Sequence, residues 1–340
     1  MRVGILYNLI DKVEKGREID KLADNEVYQT ANAVKEALTK RGHDVSLVRI
    51  APDIKSLKNQ IKSLKGKVDF VFNLAEGVGS DITEEPKIVY YLKKVGIPFS
   101  GSDDYALALC MDKLKTKKEL RKNKIPTPDF QLFKKPDDKI KSSLKFPLIV
   151  KPVHEDGSIG ITQDSIVYDS SQLRKKVADV ITNYKQPALV EEYIDGREIN
   201  AALLGNDELE VLPLSEIVFN FPQGTPKIVS FEAKWLEDSE QYKNTVGKCP
   251  AELPDEIKEQ IITTAKEAFK VVKCSDYGRV DFRVRGKDIY VLEVNPNPCI
   301  NPDGAGFIRS AKTAGYEYAD IINKIVEVAN ARQSVQSKTN

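Results

Sequence analysis

The chain has 340 residues, and its 52 lysines and arginines nearly balance 51 aspartates and glutamates, leaving a net charge of +1. That length exceeds one ordinary hydrophobic core and predicts two or three domains. Balanced charge gives no electrostatic footprint for nucleic acid, and no apolar run approaches membrane-spanning length, so neither is expected as a partner. Four cysteines (Cys110, Cys249, Cys274, Cys299) show no metal or redox spacing, and with only His43 and His154 present, zinc sites and histidine triads are not expected. Met1 leads straight into a strand pattern rather than a signal peptide, so a cytoplasmic location with reduced thiols is expected.

Met1–Tyr7 is predicted as a buried strand. Asp24 is placed to cap a helix whose apolar positions are Val27, Ala31, Val34 and Leu38, with Gly42 as its stop. Val45–Ile50 and Val68–Leu74 are predicted as further buried strands. Strands alternating with helices indicate a doubly wound parallel sheet, so the N-terminal part is α/β. Glu76-Gly77-Val78-Gly79-Ser80-Asp81 follows the third strand as a turn at the carboxyl ends of the strands, where small ligands bind in such sheets. A helix over Glu84–Val95 ends at Gly96, and the first domain closes near residue 102.

Asp112–Lys124 is a basic helix with Lys113 in its first turn. The helix dipole disfavours a cation there by ~0.5 kcal/mol. Lys113 therefore faces either a bound anion or plain solvent. Ile125-Pro126-Thr127-Pro128 breaks this helix and opens a smaller α+β unit. Phe146–Pro152 is a strand that delivers Lys151, and Gly157 and Gly160 flank Ser158 in the next loop. Such a loop aims backbone N–H groups at a phosphate or is simply a flexible hairpin. Ala188–Ile199 predicts two strands around Asp195-Gly196; it offers backbone near Ile194 to a purine and Glu198 to a ribose, or it is an acid-rich surface hairpin. Lys227–Leu253 is irregular and holds the only tryptophan, Trp235, as a lid or an inert excursion. A long helix from Pro254 to Val272 follows, and the tail from Ala331 to Asn340 is expected to be disordered.

The most informative stretch runs from Tyr277 to Pro298. Both arms alternate with period two around Gly286-Lys287-Asp288, a three-residue hairpin signal. Pairing Arg285 with Ile289 sets Asp281 opposite Glu293 and Arg279 opposite Asn295, with Val280, Phe282, Val284, Tyr290, Leu292 and Val294 on a core face. Facing carboxylates destabilise a sheet, but with a nearby carboxamide they form a hard-oxygen ligand set suited to Mg²⁺. A solvated charged face neutralised by Arg279 accounts for the same residues.

Lys113, Lys151, Gly157-Ser158, Glu191 to Glu198, and Arg279-Val280-Asp281 with Glu293-Val294-Asn295 stand in the order of the ATP-grasp fold. With Gly101-Ser102, Met111-Asp112-Lys113, Gly196-Arg197-Glu198-Ile199 and Glu232-Ala233-Lys234, the chain resembles the D-alanine–D-alanine ligase family from about Val3 to Ala329. The resemblance implies an N-terminal domain over 1–102, a central subdomain over 103–190 and a C-terminal mixed α/β subdomain over 191–330 with a lid at 226–250. It implies ATP with two Mg²⁺ (or Mn²⁺) ions as cofactors. Lys113 and Lys151 would contact phosphates, and Ser158 would lie in the loop closing over them. Glu191 and the Ile194 backbone would read adenine beside Tyr193 and Leu292, with Glu198 on the ribose. Asp281, Glu293 and Asn295 would hold the metals, Arg279 would stabilise the transferring phosphoryl group, and Lys234 would approach the γ-phosphate. The implied reaction activates a carboxylate as an acyl phosphate and captures it with an amine, and the implied assembly is a homodimer acting on small amino-acid-like substrates.

Departures from the family pattern lie on the substrate side. The N-terminal Gly-Gly-x-Ser-x-Glu motif is absent after Leu6-Tyr7-Asn8, with Glu26 as a stand-in for its glutamate. Trp235 replaces the lid tyrosine, Cys299 stands at an oxyanion-hole glycine, and Gly304 falls near a substrate-gripping serine. An ATP-dependent carboxylate–amine ligase forming a dipeptide or related amide is the leading expectation, and a ligase for other amino acids or a different amine or hydroxy-acid acceptor is an alternative. A phosphotransferase or a non-catalytic ATP-binding protein on the same fold is a further alternative.

Overall fold

The computed structural model describes residues 1–9, 16–17, 19 and 22–339. Its N-terminal part contains β1 (Arg2–Tyr7), α1 (Leu22–Lys40), β2 (Asp44–Arg49), α2 (Ile54–Leu64), β3 (Phe70–Asn73) and α3 (Glu85–Val95). The three strands pair in parallel in the order β2-β1-β3. Alternate residues feed two cores: Val3, Ile5, Phe70 and Phe72 pack on α1, while Leu6 and Val71 pack on α2 and α3. Helices on both faces make this the doubly wound sheet expected from the sequence. α1 starts at Leu22, so Asp24 falls within the helix rather than before its first residue. Asp53 caps α2 by accepting from Ser56 N at 2.9 Å, and Gly96, with φ 73°, ends α3 in the left-handed conformation that glycine adopts without strain.

α4 (Asp104–Met111) and α5 (Lys113–Lys122) lead into a four-stranded antiparallel sheet. Its strands are β4 (Phe130–Phe133), β5 (Leu148–Pro152), β6 (Ile166–Val167) and β7 (Ala188–Glu192), ordered β4-β7-β5-β6. α6 (Ser170–Tyr184) covers it through Leu173, Val177 and Val180. The third sheet holds β8 (Arg197–Gly205), β9 (Leu209–Val211), β10 (Ser215–Phe219), β11 (Thr245–Lys248), β12 (Tyr277–Arg285) and β13 (Asp288–Asn295). Between β10 and β11 lie α7 (Phe231–Trp235) and α8 (Glu240–Lys243), so much of the expected irregular lid is regular structure. α9 (Asp255–Val271), α10 (Gly306–Thr313) and α11 (Tyr318–Thr339) complete the order. Ile199, Ala201 and Leu203 of β8 join α9 in one core, while Ala202 and Leu204 join α1, α10 and α11 in the core under the first sheet. Period-two alternation in one central strand thereby ties the two sheets together. Among the described residues no helix is long and apolar enough to cross a membrane.

The last hairpin departs from the expected register. Arg285 pairs with Asp288, leaving a two-residue turn, and a bulge between Phe282 and Asp281 absorbs Leu292 as the extra residue. Ile289 and Val291 therefore enter the core with Val280, Phe282, Val284 and Val294, whereas Tyr290 and Leu292 do not. The bulge restores the pairs Asp281–Glu293 and Arg279–Asn295. Two departures cancel at the acids.

The C-terminal segment expected to be disordered is instead helical through Thr339. Arg332 donates from Nε and Nη2, each at 2.9 Å, to the two carboxylate oxygens of Asp276, which is 0% exposed and also accepts from Gly101 N at 2.8 Å. Removing one partner of a buried ion pair strands the other. Arg332→Ala is therefore expected to cost about 3 kcal/mol, read as a lower urea midpoint with an unchanged slope. An unchanged midpoint would show that this helix end contributes nothing to stability.

Candidate active site

Three neighbouring strands place the functional row. Across β8, β12 and β13 the register aligns Asn200, Asp281 and Glu293, flanked by Glu198 beside Arg283 and by Ala202, Arg279 and Asn295. Asp281 is 4% exposed. Its Oδ1 accepts from Asn200 Nδ2 and Arg279 Nε, both at 2.7 Å, and its Oδ2 accepts from Arg279 Nη2 at 2.8 Å and Asn295 Nδ2 at 2.9 Å. Four donors fill the four lone-pair positions of this carboxylate. Burial opposes the Arg279 charge, yet Asp281 outweighs it and raises the guanidinium pKa further above its ordinary value. Glu293 has no hydrogen-bond or ion-pair partner among the described residues and lines the central cavity with Leu292 and Asn295. Glu198 pairs with Arg283 at 2.8 Å, but burial, helped by Asp281 and Glu293, still raises its carboxyl pKa.

The opposite wall is cationic. Asp112 caps α5 by accepting from Lys115 N at 3.0 Å, which sets Lys113 at the helix start with its ammonium on the Glu155 carbonyl. One turn later Lys117, 1% exposed, lies 3.3 Å from Glu191 Oε2, and Lys151 reaches the same oxygen at 3.0 Å. Lys117 also donates to Thr127 Oγ1 at 2.8 Å. Burial pushes the Lys117 ammonium down to about 8, against the pull of Glu191 and with the push of Lys151. Burial also disfavours the Glu191 carboxylate, but the two lysines together hold its pKa below the ordinary value. Glu191 Oε1 stays buried without a hydrogen-bond partner. Two cations on one anion leave this cluster with a surplus positive charge, as an anion-binding wall requires.

The glycine loop and α7 are latched together. Ser158 donates to Val229 O at 2.8 Å, Trp235 Nε1 donates to Gly157 O at 2.8 Å, and Phe231 N donates to Ile161 O at 2.7 Å. Gly160, with φ 78°, admits no side chain because a Cβ would lie 2.5 Å from Pro152 Cγ. The Lys234 ammonium sits 4.7 Å from the Trp235 ring centre, next to the loop. Trp235 therefore ties α7 to the glycine loop.

One cavity gathers Lys113, Lys234, Arg279, Leu292, Glu293 and Asn295 of the residues expected from sequence. Lys151, Ser158, Glu191, Tyr193, Ile194, Glu198 and Asp281 stand outside its lining. Each is engaged elsewhere or buried: Ile194 is in the core, and Tyr193 accepts at its hydroxyl from Lys227 N at 2.9 Å. Sequence reasoning missed Lys117, Asn200 and Arg283. Lys117 follows Lys113 by one helical turn, and Arg283 continues the alternation of Arg279 and Asp281, so both carried a periodic signal. Cys299 lies 3.4 Å from Glu26 Oε1, and burial and that carboxylate push its thiol up to about 12. A neutral thiol is no nucleophile at ordinary pH.

Residues 120–327 match the family model described as D-ala D-ala ligase C-terminus. The chain belongs to the D-alanine–D-alanine ligase family. It is 32% identical over 309 residues to the D-alanine–D-alanine ligase of Carboxydothermus hydrogenoformans, covering 88% of this chain and 91% of that protein. It is also 37% identical over 265 residues to a Sinorhizobium fredii protein named uncharacterized protein y4sG, covering 77% of this chain and 75% of that one. Among solved structures, the Bacillus anthracis D-alanine–D-alanine ligase complexed with ATP superposes with a TM-score of 0.77 at 25% identity over 99% of both chains. The fold is thus the ATP-grasp fold expected for a D-alanine–D-alanine ligase relative.

The buried lysine supplies a pH test. Because Lys117 holds its proton only to about 8 when folded, against 10.5 for an ordinary lysine, the folded chain binds fewer protons than the unfolded one between those values. Its contribution to stability therefore rises with pH across that window. Urea unfolding at pH 8 and pH 10 is expected to show this rise in the wild type relative to Lys117→Met; parallel profiles would contradict the assignment.

Proposed function

We propose that this ligase-family chain joins two amino acids by a peptide bond at the expense of ATP, releasing ADP and phosphate. The observation that carries the reading is that Glu293, and Arg279 held on Asp281, line the same cavity as Lys113 and Lys117. A carboxylate resists attack on an anionic phosphate until both charges are offset, and this arrangement supplies cations on both sides. Lys113, Lys151 and Lys117 hold the phosphates, and Lys234 reaches the terminal one from α7. Ser158 acts through its loop, since its hydroxyl is already given to Val229. Glu191 and Ile194 border the adenine, with Tyr193 and Leu292 flanking it and Glu198 toward the ribose.

The hard-oxygen set fits Mg²⁺: Glu293 is unpartnered and lines the cavity, and Asn295 keeps its carboxamide oxygen after donating to Asp281. Among the described residues no three metal-binding acid, histidine or cysteine side chains gather, so phosphate oxygens and water would complete any coordination. Glu293, Asp281 and Asn295 would hold the metal, which neutralises phosphate charge when bound. Arg279, at present closed on Asp281, is freed toward the transferring group as that carboxylate takes another partner. The Trp235 latch over Gly157 keeps water from the activated carboxylate, which would otherwise hydrolyse.

ADP release by the full chain with ATP, Mg²⁺ and paired amino acids tests the reading. Asp281→Asn and Glu293→Gln are each expected to lower the rate about a hundredfold or more; Glu293→Gln leaves the melting temperature unchanged, whereas Asp281→Asn lowers it because Arg279 loses its buried ion pair. Wild-type rates in both would remove the basis for the assignment.

A further inference from the structure

Two neutral amino acids entering such a site bring two carboxylates and only one lasting ammonium, because the attacking amine must be uncharged. The N-terminal wall of the cavity is built for the opposite balance. Glu26, Glu76 and Glu85 all line it, and the cavity's cations are engaged elsewhere: Arg279 by Asp281, Lys117 by Glu191, Lys113 by a backbone carbonyl and Lys234 over the Trp235 ring. Glu85 has no ion-pair partner among the described residues, and burial together with Glu76 and Asp156 raises its carboxyl pKa well above the ordinary range, against the smaller opposing pull of Asn297. An acid left this way in a cleft is stabilised by an incoming cation.

A second observation marks the same wall as a ligand site. Asn73 is 2% exposed and Thr30 is 5% exposed, and both line the cavity. Asn73 Nδ2 and Thr30 Oγ1 are nevertheless buried without any hydrogen-bond partner. Unmade bonds of this kind cost stability unless a ligand completes them. Glu26, by contrast, is fixed in place: its Oε1 accepts from Asn301 Nδ2 at 3.0 Å, leaving Oε2 for a ligand.

We propose that one of the two amino-acid substrates carries a second ammonium group, as a basic or diamino acid does, and that Glu85 and Glu26 form the subsite that holds it. This rests on the ligase reading and names the substrate class for it. Thr30 Oγ1 accepts from that ammonium, Asn73 Nδ2, a donor, is left for the carboxylate of the same substrate, and Glu76 adds negative potential.

The test is steady-state ADP release by the full chain with ATP and Mg²⁺, using pairs drawn from D- and L-lysine, ornithine, norleucine and alanine. Pairs containing lysine or ornithine are expected to exceed the norleucine equivalents in kcat/KM by about tenfold or more, the worth of one charge-assisted bond. Glu85→Gln is expected to bring that ratio toward one, chiefly through a higher KM for the basic substrate. The wild-type comparison of lysine with norleucine decides the matter even if the variant fails to fold. Equal or faster turnover with norleucine or alanine overturns the subsite while leaving the ligase reading intact. ADP release with no pair at all overturns the ligase reading and the subsite with it.

Discussion

The site depends on one carboxylate that is both buried and fully bonded. Asp281 sits between Asn200 on one strand and Asn295 on another while Arg279 closes on it from its own strand. In a low-dielectric sheet a lone carboxylate would cost several kcal/mol, so its partners must be present whenever nucleotide is not. The same bonds make it a switchable ligand. Under the proposed reading, Asp281 would hold a divalent ion through the oxygens that now bind Arg279, leaving that guanidinium available to the phosphates.

Around that pivot the charges separate by function. The wall built from α5, β5 and β7 holds two lysines on one glutamate and keeps net positive charge, while the N-terminal wall presents carboxylates and unfilled polar atoms. Under the proposed function, nucleotide and amino-acid substrates would meet opposite potentials within a single cavity. The core shared by β8, α1 and α11 couples those walls mechanically, because alternate β8 residues pack under the first sheet while the others pack on α9.

How far the sequence reached follows from the range of each interaction. The facing acids were legible because period-two alternation fixes faces locally. The bulge at Leu292 was not, since Gly286-Lys287-Asp288 closes either a two- or a three-residue turn, and the choice was made by burying Ile289 and Val291 against α9. Lys117 is hidden among six other lysines and arginines from Lys113 to Lys124; only its packing against Glu191, far along the chain, singles it out. Glu85 looked like an ordinary acid in a first helical turn, a place where the dipole favours one anyway. Arg332 falls in the tail expected to be disordered because its partner Asp276 lies far back in the chain, in the segment between α9 and β12. The fold came from local pattern. The division of the cavity came from contacts between distant segments.

The most direct measurement is a crystal structure with a non-hydrolysable ATP analogue and Mn²⁺, located by anomalous scattering. Metal peaks bonded to Glu293 and Asp281, with Arg279 turned away from Asp281 toward the terminal phosphate, are the expected result. An intact Arg279–Asp281 pair with no metal at Glu293, while nucleotide occupies the cavity, would contradict it.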